Sequence, residues 1–302
     1  MRALLVVNPK ATTTTPRMRD VLTRALSSEI KIDTAETTHR GHATALARDA
    51  VSDGFDVVVV LGGDGTVSEV ANGLVHTGTA LGIVPGGSAN VFGRALGMSP
   101  SPVEATSELI EALRKGRRRS INLGRADDRY FTFCAGFGVD AEVIHRIEKL
   151  RHLGRPATPG RYMRTTVRHY LFGTDRRHPH VTLELPGQEP ICPLFNGIVA
   201  NGSPWTYFGS RPVNPFPLAS FDHDLDLFAL RKMTLPGAVR IAQQFFEEGS
   251  RHSRRHVLSM HNVAAFTLVA DSPLAAQVDG DYVGERTSMT FESVRAALTV
   301  IA

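Results

Sequence analysis

The chain has 302 residues, of which 42% are hydrophobic and 21% charged, and its formal net charge at pH 7 is +4. This length and apolar content predict a soluble globular protein of about two domains, and no apolar run is long enough to span a membrane. Cys134 and Cys192 are far apart in apolar sequence, so they give neither a metal-binding spacing nor a disulfide framework and favour a reducing compartment.

Strand and helix signals alternate over the first 124 residues. The predicted strands are 3–7, 31–36, 56–61 and 81–84, and the predicted helices are 17–28, 41–52, one leading to Gly97, and 103–115. Repeated strand–helix order predicts a parallel sheet with helices on both faces. In such sheets, ligands bind beyond the carboxyl ends of the strands.

The strand predicted at 56–61 runs into a glycine-rich turn and then a helix that is expected to begin near Thr66. The turn contains Gly62, Gly63 and Gly65. Such a turn lets the backbone approach a ligand closely, and the first amides of the helix favour an anion. The Asp64 carboxylate lies where it can bind Mg²⁺ between the protein and phosphates. The alternative is an ordinary strand–glycine–helix connection of an α/β domain.

After residue 124 the pattern changes to strands separated by turn residues. The predicted strands are 129–134, 181–185, 191–200, 225–230, 264–269, 288–291 and 297–301, with helices at 141–150 and 235–248. This order predicts an antiparallel β domain. The expected domains are therefore 1–124 and 125–302.

Positive charge is concentrated in the segment 145–177, which has nine Arg or Lys against two acidic residues. Apolar residues are interleaved with these charges, which suits an anionic bilayer surface. Two shorter basic runs lie at 114–119 and 251–256. A solvated charged face is the alternative for each run. Nucleic acid is not an expected partner, because the runs carry no stacking aromatics on a recognisable module.

Several motifs occur in a fixed order along the chain. They are Asn8-Pro9, Thr37, the GGDGT of Gly62 to Thr66, the PGGSAN of Pro85 to Asn90, the AGFGVDAEV of Ala135 to Val143 and the DGD of Asp279 to Asp281. Together they resemble the catalytic domain of the diacylglycerol kinase and sphingosine kinase family of lipid kinases. The resemblance implies an N-terminal α/β domain with a parallel sheet, of the NAD kinase and phosphofructokinase type, a C-terminal antiparallel β-sandwich-like domain, and an active site between them.

The resemblance also implies roles for individual residues. The implied ATP contacts are Asn8, Thr37, Gly62, Gly63, Asp64, Gly65, Thr66, Ser88 and Asn90. Asp281 would be the general base for the lipid hydroxyl, while Asp64 would hold Mg²⁺ and share the base role. Asp140 would face the acceptor head group. Asp222, with Asp224 or Asp226, would lie in the turn where relatives bind a metal.

Four positions depart from the family pattern. Ser88 stands where the family usually has Thr, and Val91 stands where Asp is common. His223-Asp224 stands in place of Asp-Gly, and Asp281 stands in place of Glu. The last change shortens the expected base by one methylene, and the third weakens the metal assignment. Each site assignment also has a structural alternative: a hairpin turn at the DGD motif, a helix N-cap at Asp140, and a solvated turn at 221–226.

The predicted function is an ATP- and Mg²⁺-dependent kinase of diacylglycerol or a related long-chain lipid alcohol. It is expected to act in a bacterial cytoplasm, bound peripherally to an anionic membrane surface, and a homodimer is left open. One alternative is a soluble-substrate kinase of the NAD kinase type. The other is a non-catalytic protein that binds a lipid or a nucleotide.

Overall fold

The computed structural model describes residues 1–12, 14–153, 159–247, 253 and 255–302. The chain forms two compact units. The first comprises Met1–Leu123 together with Arg295–Ala302, and the second comprises Gly124–Val294. The boundaries between the units fall within two strands, Arg119–Ala126 and Asp281–Val300.

The first unit alternates strands and helices as the sequence predicts. Its elements are β1 Arg2–Val7, α1 Pro16–Ser27, β2 Lys31–Glu36, α2 His42–Ser52, β3 Val57–Gly62, α3 Asp64–Leu74, β4 Ala80–Pro85, α4 Val91–Ala95, α5 Pro102–Arg114 and the start of β5 Arg119–Ala126. The strands pair in the order β2-β1-β3-β4, and every pair is parallel. The predicted parallel α/β fold is therefore confirmed.

Burial explains this sheet. Every residue of β3 and β4 is buried, as expected for parallel strands that helices cover on both faces. On one face, α1 and α5 contribute Leu22, Leu26 and Leu109 to a core with the strand residues. Val103, in the first turn of α5, is exposed.

The second unit is rich in antiparallel strands. Its elements are the end of β5, β6 Arg129–Phe131, β7 Cys134–Phe137, α6 Val139–His152, α7 Pro159–Phe172, β8 Val181–Glu184, β9 Ile191–Leu194, β10 Gly197–Ala200, β11 Thr206–Phe208, β12 Arg211–Val213, β13 Leu225–Leu230, α8 Leu235–Gln244, β14 Val257–Val263, β15 Ala265–Val278 and β16 Asp281–Val300. The main strand order is β14-β13-β10-β7-β15-β16, and the pairs with a recorded register are antiparallel. The predicted antiparallel β region is confirmed.

Several elements differ from the sequence-based expectation. The predicted strands 288–291 and 297–301 are one long strand, β16, whose end pairs in parallel with β4 of the first unit through Val300 and Leu81. For this reason residues 295–302, expected in the second domain, belong to the first unit. The helix α7 and the strands β5, β11, β12 and β14 were not predicted. Among the described residues, no helix has the length and hydropathy needed to cross a membrane.

Candidate active site

Two glycine loops of the first unit pack directly against each other. The Gly86 amide donates a 2.8 Å hydrogen bond to the Gly62 carbonyl. A Cβ atom on Gly87 would lie 2.6 Å from the Cα of Gly63, and one on Gly86 would lie 3.0 Å from the Gly62 nitrogen. Side chains are excluded here by backbone contact. Gly65 differs, because a Cβ there would meet no described atom within 4 Å.

The glycine loop leads into the N-terminus of α3, two residues earlier than predicted. The N-cap residue Gly63 is extended and supplies no side-chain hydrogen bond to the first turn. Asp64 is the first helical residue, and its Oδ1 accepts a 3.2 Å hydrogen bond from the amide of Phe92 in α4. The first turn of α3 therefore combines backbone amides and a positive dipole end with one positioned carboxylate.

Asn8 connects the end of β1 to α3. Its Nδ2 donates to the Thr66 hydroxyl at 2.9 Å, and its backbone amide donates to the Leu61 carbonyl at 3.0 Å. The Thr66 hydroxyl accepts this bond and still has its own proton to donate. Thr37 follows β2, and its amide donates to the Val7 carbonyl at 2.8 Å. The structure thus brings Asn8 and Thr66 together beside the glycine loops.

Asn90 and Ser88 lie in the second glycine loop with different surroundings. Asn90 has a left-handed backbone, with φ 47°, and its side-chain amide exchanges two 2.9 Å hydrogen bonds with the backbone of Gly87. Asn90 therefore closes its own loop. Ser88 is exposed at the loop tip. Their contacts with ATP stay predictions.

Sequence reasoning missed a contact that holds the start of α2. The Glu69 carboxylate on α3 accepts hydrogen bonds from the amides of Gly41 at 2.8 Å and Ala43 at 3.1 Å. The α2 N-cap, Gly41, is left-handed and provides no cap of its own. No local sequence signal identifies this bond, because the capping group comes from another helix.

Thr14 is a second residue that sequence reasoning did not select. Its hydroxyl is buried, and no hydrogen-bond partner for it occurs among the described residues. It lies 2.8 Å from the position that a Cβ on Gly86 would occupy. An unpaired buried hydroxyl beside the glycine loops fits a site for a ligand with acceptor oxygens.

In the second unit, Asp279 and Gly280 of the DGD motif form the two-residue turn between β15 and β16. Asp279 and Gly280 both have positive φ, 50° and 78°, so the hairpin alternative describes the local geometry correctly. The buried Asp279 carboxylate accepts four hydrogen bonds, and its donors are the amides of Thr132, Phe133 and Cys134 and the Thr132 hydroxyl, at 2.8 to 3.3 Å. Asp279 therefore fixes the connection between β6 and β7.

Asp281 follows this turn, and its Oδ2 accepts a 2.8 Å bond from Nη2 of Arg129. Its side chain is 22% exposed. Asp281 therefore presents a partly exposed carboxylate at the start of β16, and the Arg129 guanidinium holds it in place.

Asp140 lies in the first turn of α6, directly over Gly136, where a Cβ would be 1.8 Å from its Oδ2. That oxygen accepts a 3.1 Å bond from Nε2 of Gln277. Its Oδ1 is buried and has no hydrogen-bond partner in the described part of the chain. Burial raises the pKa of Asp140 to about 7, although the bond from Gln277 opposes this shift. The carboxyl therefore populates both protonation states near neutral pH.

Gln277 joins Asp140 to the hairpin turn. Its Oε1 accepts a 2.9 Å bond from the amide of Gly280, while its Nε2 donates to Asp140. Two of the predicted site regions, Asp140 and the DGD turn, therefore share one buried side chain. Sequence reasoning missed Gln277, because a single Gln within a strand belongs to no motif.

The turn before β13 is held by β14. The Asp226 Oδ1 accepts bonds from Nδ1 of His261 at 2.6 Å and from the amide of Asn262 at 3.1 Å. The Asp224 amide donates to Oδ1 of Asn262 at 2.8 Å. Burial raises the pKa of Asp226, and these bonds oppose the shift. Asn262 has a positive φ, 59°, and the register between β13 and β14 shifts opposite this region.

The acidic residues of this turn differ in exposure, and Asp224 is buried. Asp222 is exposed, and Asp226 is already bonded to His261. Across the described ranges, no three His, Cys, Asp or Glu residues are arranged to hold a metal ion. The metal at Asp222 and Asp224 therefore stays a prediction. A single carboxylate, such as Asp64, remains compatible with Mg²⁺ that also binds substrate phosphates.

Comparison with known proteins places the chain in a family. Residues 2–126 match the model of the diacylglycerol kinase catalytic domain. A diacylglycerol kinase of Bacillus subtilis is 27% identical over 94% of this chain and 90% of its own length. A Chromohalobacter salexigens protein named "Probable lipid kinase YegS-like" is 34% identical over 81% of this chain and 75% of its own.

A solved structure shows the same fold. The crystal structure of a diacylglycerol kinase from Bacillus anthracis superposes with a TM-score of 0.73 at 20% identity, covering 99% of this chain and 96% of that one. The sequence relatives, together with this fold, establish that the chain belongs to the diacylglycerol kinase-like family of lipid kinases.

Proposed function

We propose that this protein transfers the γ-phosphate of ATP to the hydroxyl of diacylglycerol or a related long-chain lipid alcohol. Membership of a lipid kinase family supports the reaction type. The observation that carries the nucleotide half of the proposal is the pair of packed glycine loops at the start of α3. Backbone amides at a helix start are a common means of binding phosphate.

Within the first unit, the proposed ATP contacts have separate tasks. The glycines of the two loops let the backbone approach the phosphates, while the hydroxyl of Thr66, fixed by Asn8, donates to a phosphate oxygen. Thr37 and Ser88 supply further hydroxyls at the carboxyl ends of β2 and β4. Phosphoryl transfer depends mainly on positioning and charge stabilisation, which such a set of donors provides.

Asp64 is the proposed ligand of the magnesium ion. Its carboxylate is held at the start of α3 by the Phe92 amide, beside the helix amides proposed to bind the phosphates. The ion would neutralise charge on the transferred phosphoryl oxygens. Asp64 is also the second candidate for the proton acceptor, as the family resemblance implies.

Asp281 is the proposed general base. The lipid hydroxyl gives its proton to the Asp281 carboxylate as its oxygen bonds to the γ-phosphorus and the bond to the leaving ADP oxygen breaks. The partial exposure of Asp281 is consistent with access by an acceptor. The aspartate side chain is shorter than the usual glutamate, so the role depends on how the carboxylate is held.

Asp140 is the proposed contact for the acceptor head group. Its buried Oδ1 lacks a partner among the described residues, and a carboxyl with a pKa of about 7 can donate as well as accept. A hydroxyl group likewise donates and accepts, so a neutral, hydroxyl-bearing head group complements this site. This chemistry supports a lipid alcohol such as diacylglycerol.

The basic helix α7 is the proposed contact with an anionic membrane. Arg164 and Arg168 are exposed, as are Val167 at 48% and Phe172 at 84%. Exposed arginines beside exposed apolar side chains suit the interface of an anionic bilayer. Part of the basic segment, including Arg155, and residues 251, 252 and 254 of the run 251–256 lie outside the described residues.

A phosphate-transfer assay tests the proposed function. Purified protein, radiolabelled ATP and Mg²⁺ are combined with diacylglycerol in mixed micelles, and NAD serves as the soluble acceptor in a parallel reaction. Labelled phosphatidic acid is the expected product. Transfer to NAD alone would favour the NAD kinase alternative, and binding of ATP or lipid without transfer to any acceptor would favour a binding protein.

Two variants separate the proposed roles in this assay. Asp64→Asn is expected to abolish transfer through loss of Mg²⁺–ATP placement, whereas Asp281→Asn should reduce kcat and leave ATP affinity nearly unchanged. Asp33→Asn is the control, because Asp33 pairs with Arg2 on the surface, away from the glycine loops. A normal kcat in Asp281→Asn would remove Asp281 from the base role.

A further inference from the structure

The proposed base, Asp281, forms an ion pair with Arg129, a residue that has no role in the function described so far. Nη2 of Arg129 lies 2.8 Å from Oδ2 of Asp281, and the two side chains are 28% and 22% exposed. The surface pair of Lys115 and Glu111, in contrast, has exposures of 61% and 57%. Solvent therefore screens the Arg129 pair less, and its charge-assisted bond restricts the carboxylate more strongly.

The backbone on either side of Arg129 is tied to the β15–β16 hairpin. On one side, Asp127 in the β5–β6 turn exchanges two bonds with the backbone of Thr290 in β16, at 2.8 and 2.9 Å. On the other side, the connection after β6 is bound by Asp279, which lies in the turn that precedes Asp281. The guanidinium and the carboxylate are therefore presented from backbone segments that are fixed to each other.

We propose that Arg129 is a positioning residue that holds the Asp281 carboxylate in the orientation in which it accepts the lipid hydroxyl proton. An aspartate has one methylene fewer than the glutamate usual in this family, so its reach is set by a single side-chain orientation. The bond from Arg129 selects that orientation. This inference rests on the proposed function, because it assigns a partner to the proposed base.

Substitutions at Arg129 test the proposal. Arg129→Gln removes the charge and is expected to lower kcat by about 10- to 100-fold, because small misplacements of a reacting group carry costs of this order. The KM for ATP should change by less than about 2-fold, since the nucleotide contacts lie in the first unit. Arg129→Lys keeps the charge and should recover part of the lost kcat.

Arg125→Gln is the matched control. Arg125 lies on the adjoining strand β5 and pairs with Glu292 of β16, so its loss also breaks an ion pair to β16 without touching Asp281. We expect this variant to retain kcat within about 2-fold, as for loss of an ordinary partly exposed ion pair. A loss of kcat equal to that of Arg129→Gln would mean that any ion pair to β16 matters, which would overturn the proposal.

A double-mutant cycle with Asp281→Asn decides whether Arg129 acts through the carboxylate. If it does, Arg129→Gln causes no further loss of kcat in the Asp281→Asn background. An equal loss in both backgrounds would show that Arg129 acts on something else and would overturn the positioning role alone. Full kcat in Asp281→Asn would remove the base itself, so the two failures are distinguishable. Thermal unfolding shows whether each variant is folded. If Arg129→Gln does not fold, Arg129→Lys takes its place in the cycle.

Discussion

Asp140→Asn tests the buried carboxyl through the pH dependence of stability. Burial raises the pKa of Asp140 from 3.8 to about 7 in the folded protein, so between these values the folded state binds one proton more than the unfolded state. The free energy of unfolding therefore falls as pH rises, by about 1.4 kcal/mol per pH unit, and levels off above the folded pKa. Between about pH 5 and pH 8 the expected loss is roughly 2–3 kcal/mol. The asparagine has no proton to lose, so its variant should lack this component.

The assay is urea unfolding of the wild type and of Asp140→Asn at several pH values, in the absence of nucleotide and lipid. The wild type has other titrating groups, and subtracting the variant's curve removes their contribution when they are distant from Asp140. We expect the variant to be less stable than, or similar to, the wild type near pH 5 and to gain relative stability toward pH 8. Parallel pH profiles for the two proteins would refute the conclusion that Asp140 is buried with a raised pKa.

Three further predictions concern other parts of the molecule. Gly87→Ala should lower the free energy of unfolding by about 1–3 kcal/mol, because its Cβ would lie 2.6 Å from the Cα of Gly63. Gly65→Ala is the control, because its Cβ meets open space and should not lower the free energy of unfolding. Equal losses for the two variants in urea unfolding would contradict the packing argument. Charge reversal of Arg164 and Arg168 to Glu should weaken binding to anionic vesicles by at least about 30-fold at low salt, as measured by sedimentation, and unchanged binding would exclude α7 as the membrane contact. His261→Ala should lower the free energy of unfolding by about 1–3 kcal/mol, because it removes a bond to the buried Asp226 carboxylate, and an unchanged free energy in urea unfolding would contradict this.

The first unit was largely predictable because its signals are local. The buried strands β3 and β4 are short apolar runs, and a glycine-rich turn or loop follows each. The start of α3 was placed two residues late, because the glycines suggested a longer turn than the one that Gly63 makes as an extended N-cap. Errors of this size are expected at helix boundaries, where the cap geometry and not the apolar pattern decides the first residue.

The second unit was harder to predict because its order depends on distant pairing. The long strand β16 was predicted as two short ones, because Glu292, Ser293 and Arg295 interrupt the apolar pattern although they continue the strand. The turn before β13 is held by His261 and Asn262, 35 or more residues later in the chain, which bond to Asp226 and Asp224. No pattern at 221–226 contains that information.

The sequence by itself determined the α/β and antiparallel fold classes, the two glycine loops and the family resemblance, because each is encoded by residues close together in the chain. Tertiary structure alone decided which polar groups meet. Gln277 joins Asp140 to the Asp279–Asp281 turn, and Arg129 reaches a carboxylate 152 positions away. The physical reason is that burial and hydrogen bonding depend on which strands become neighbours, and strand pairing between distant segments is not visible in local periodicity.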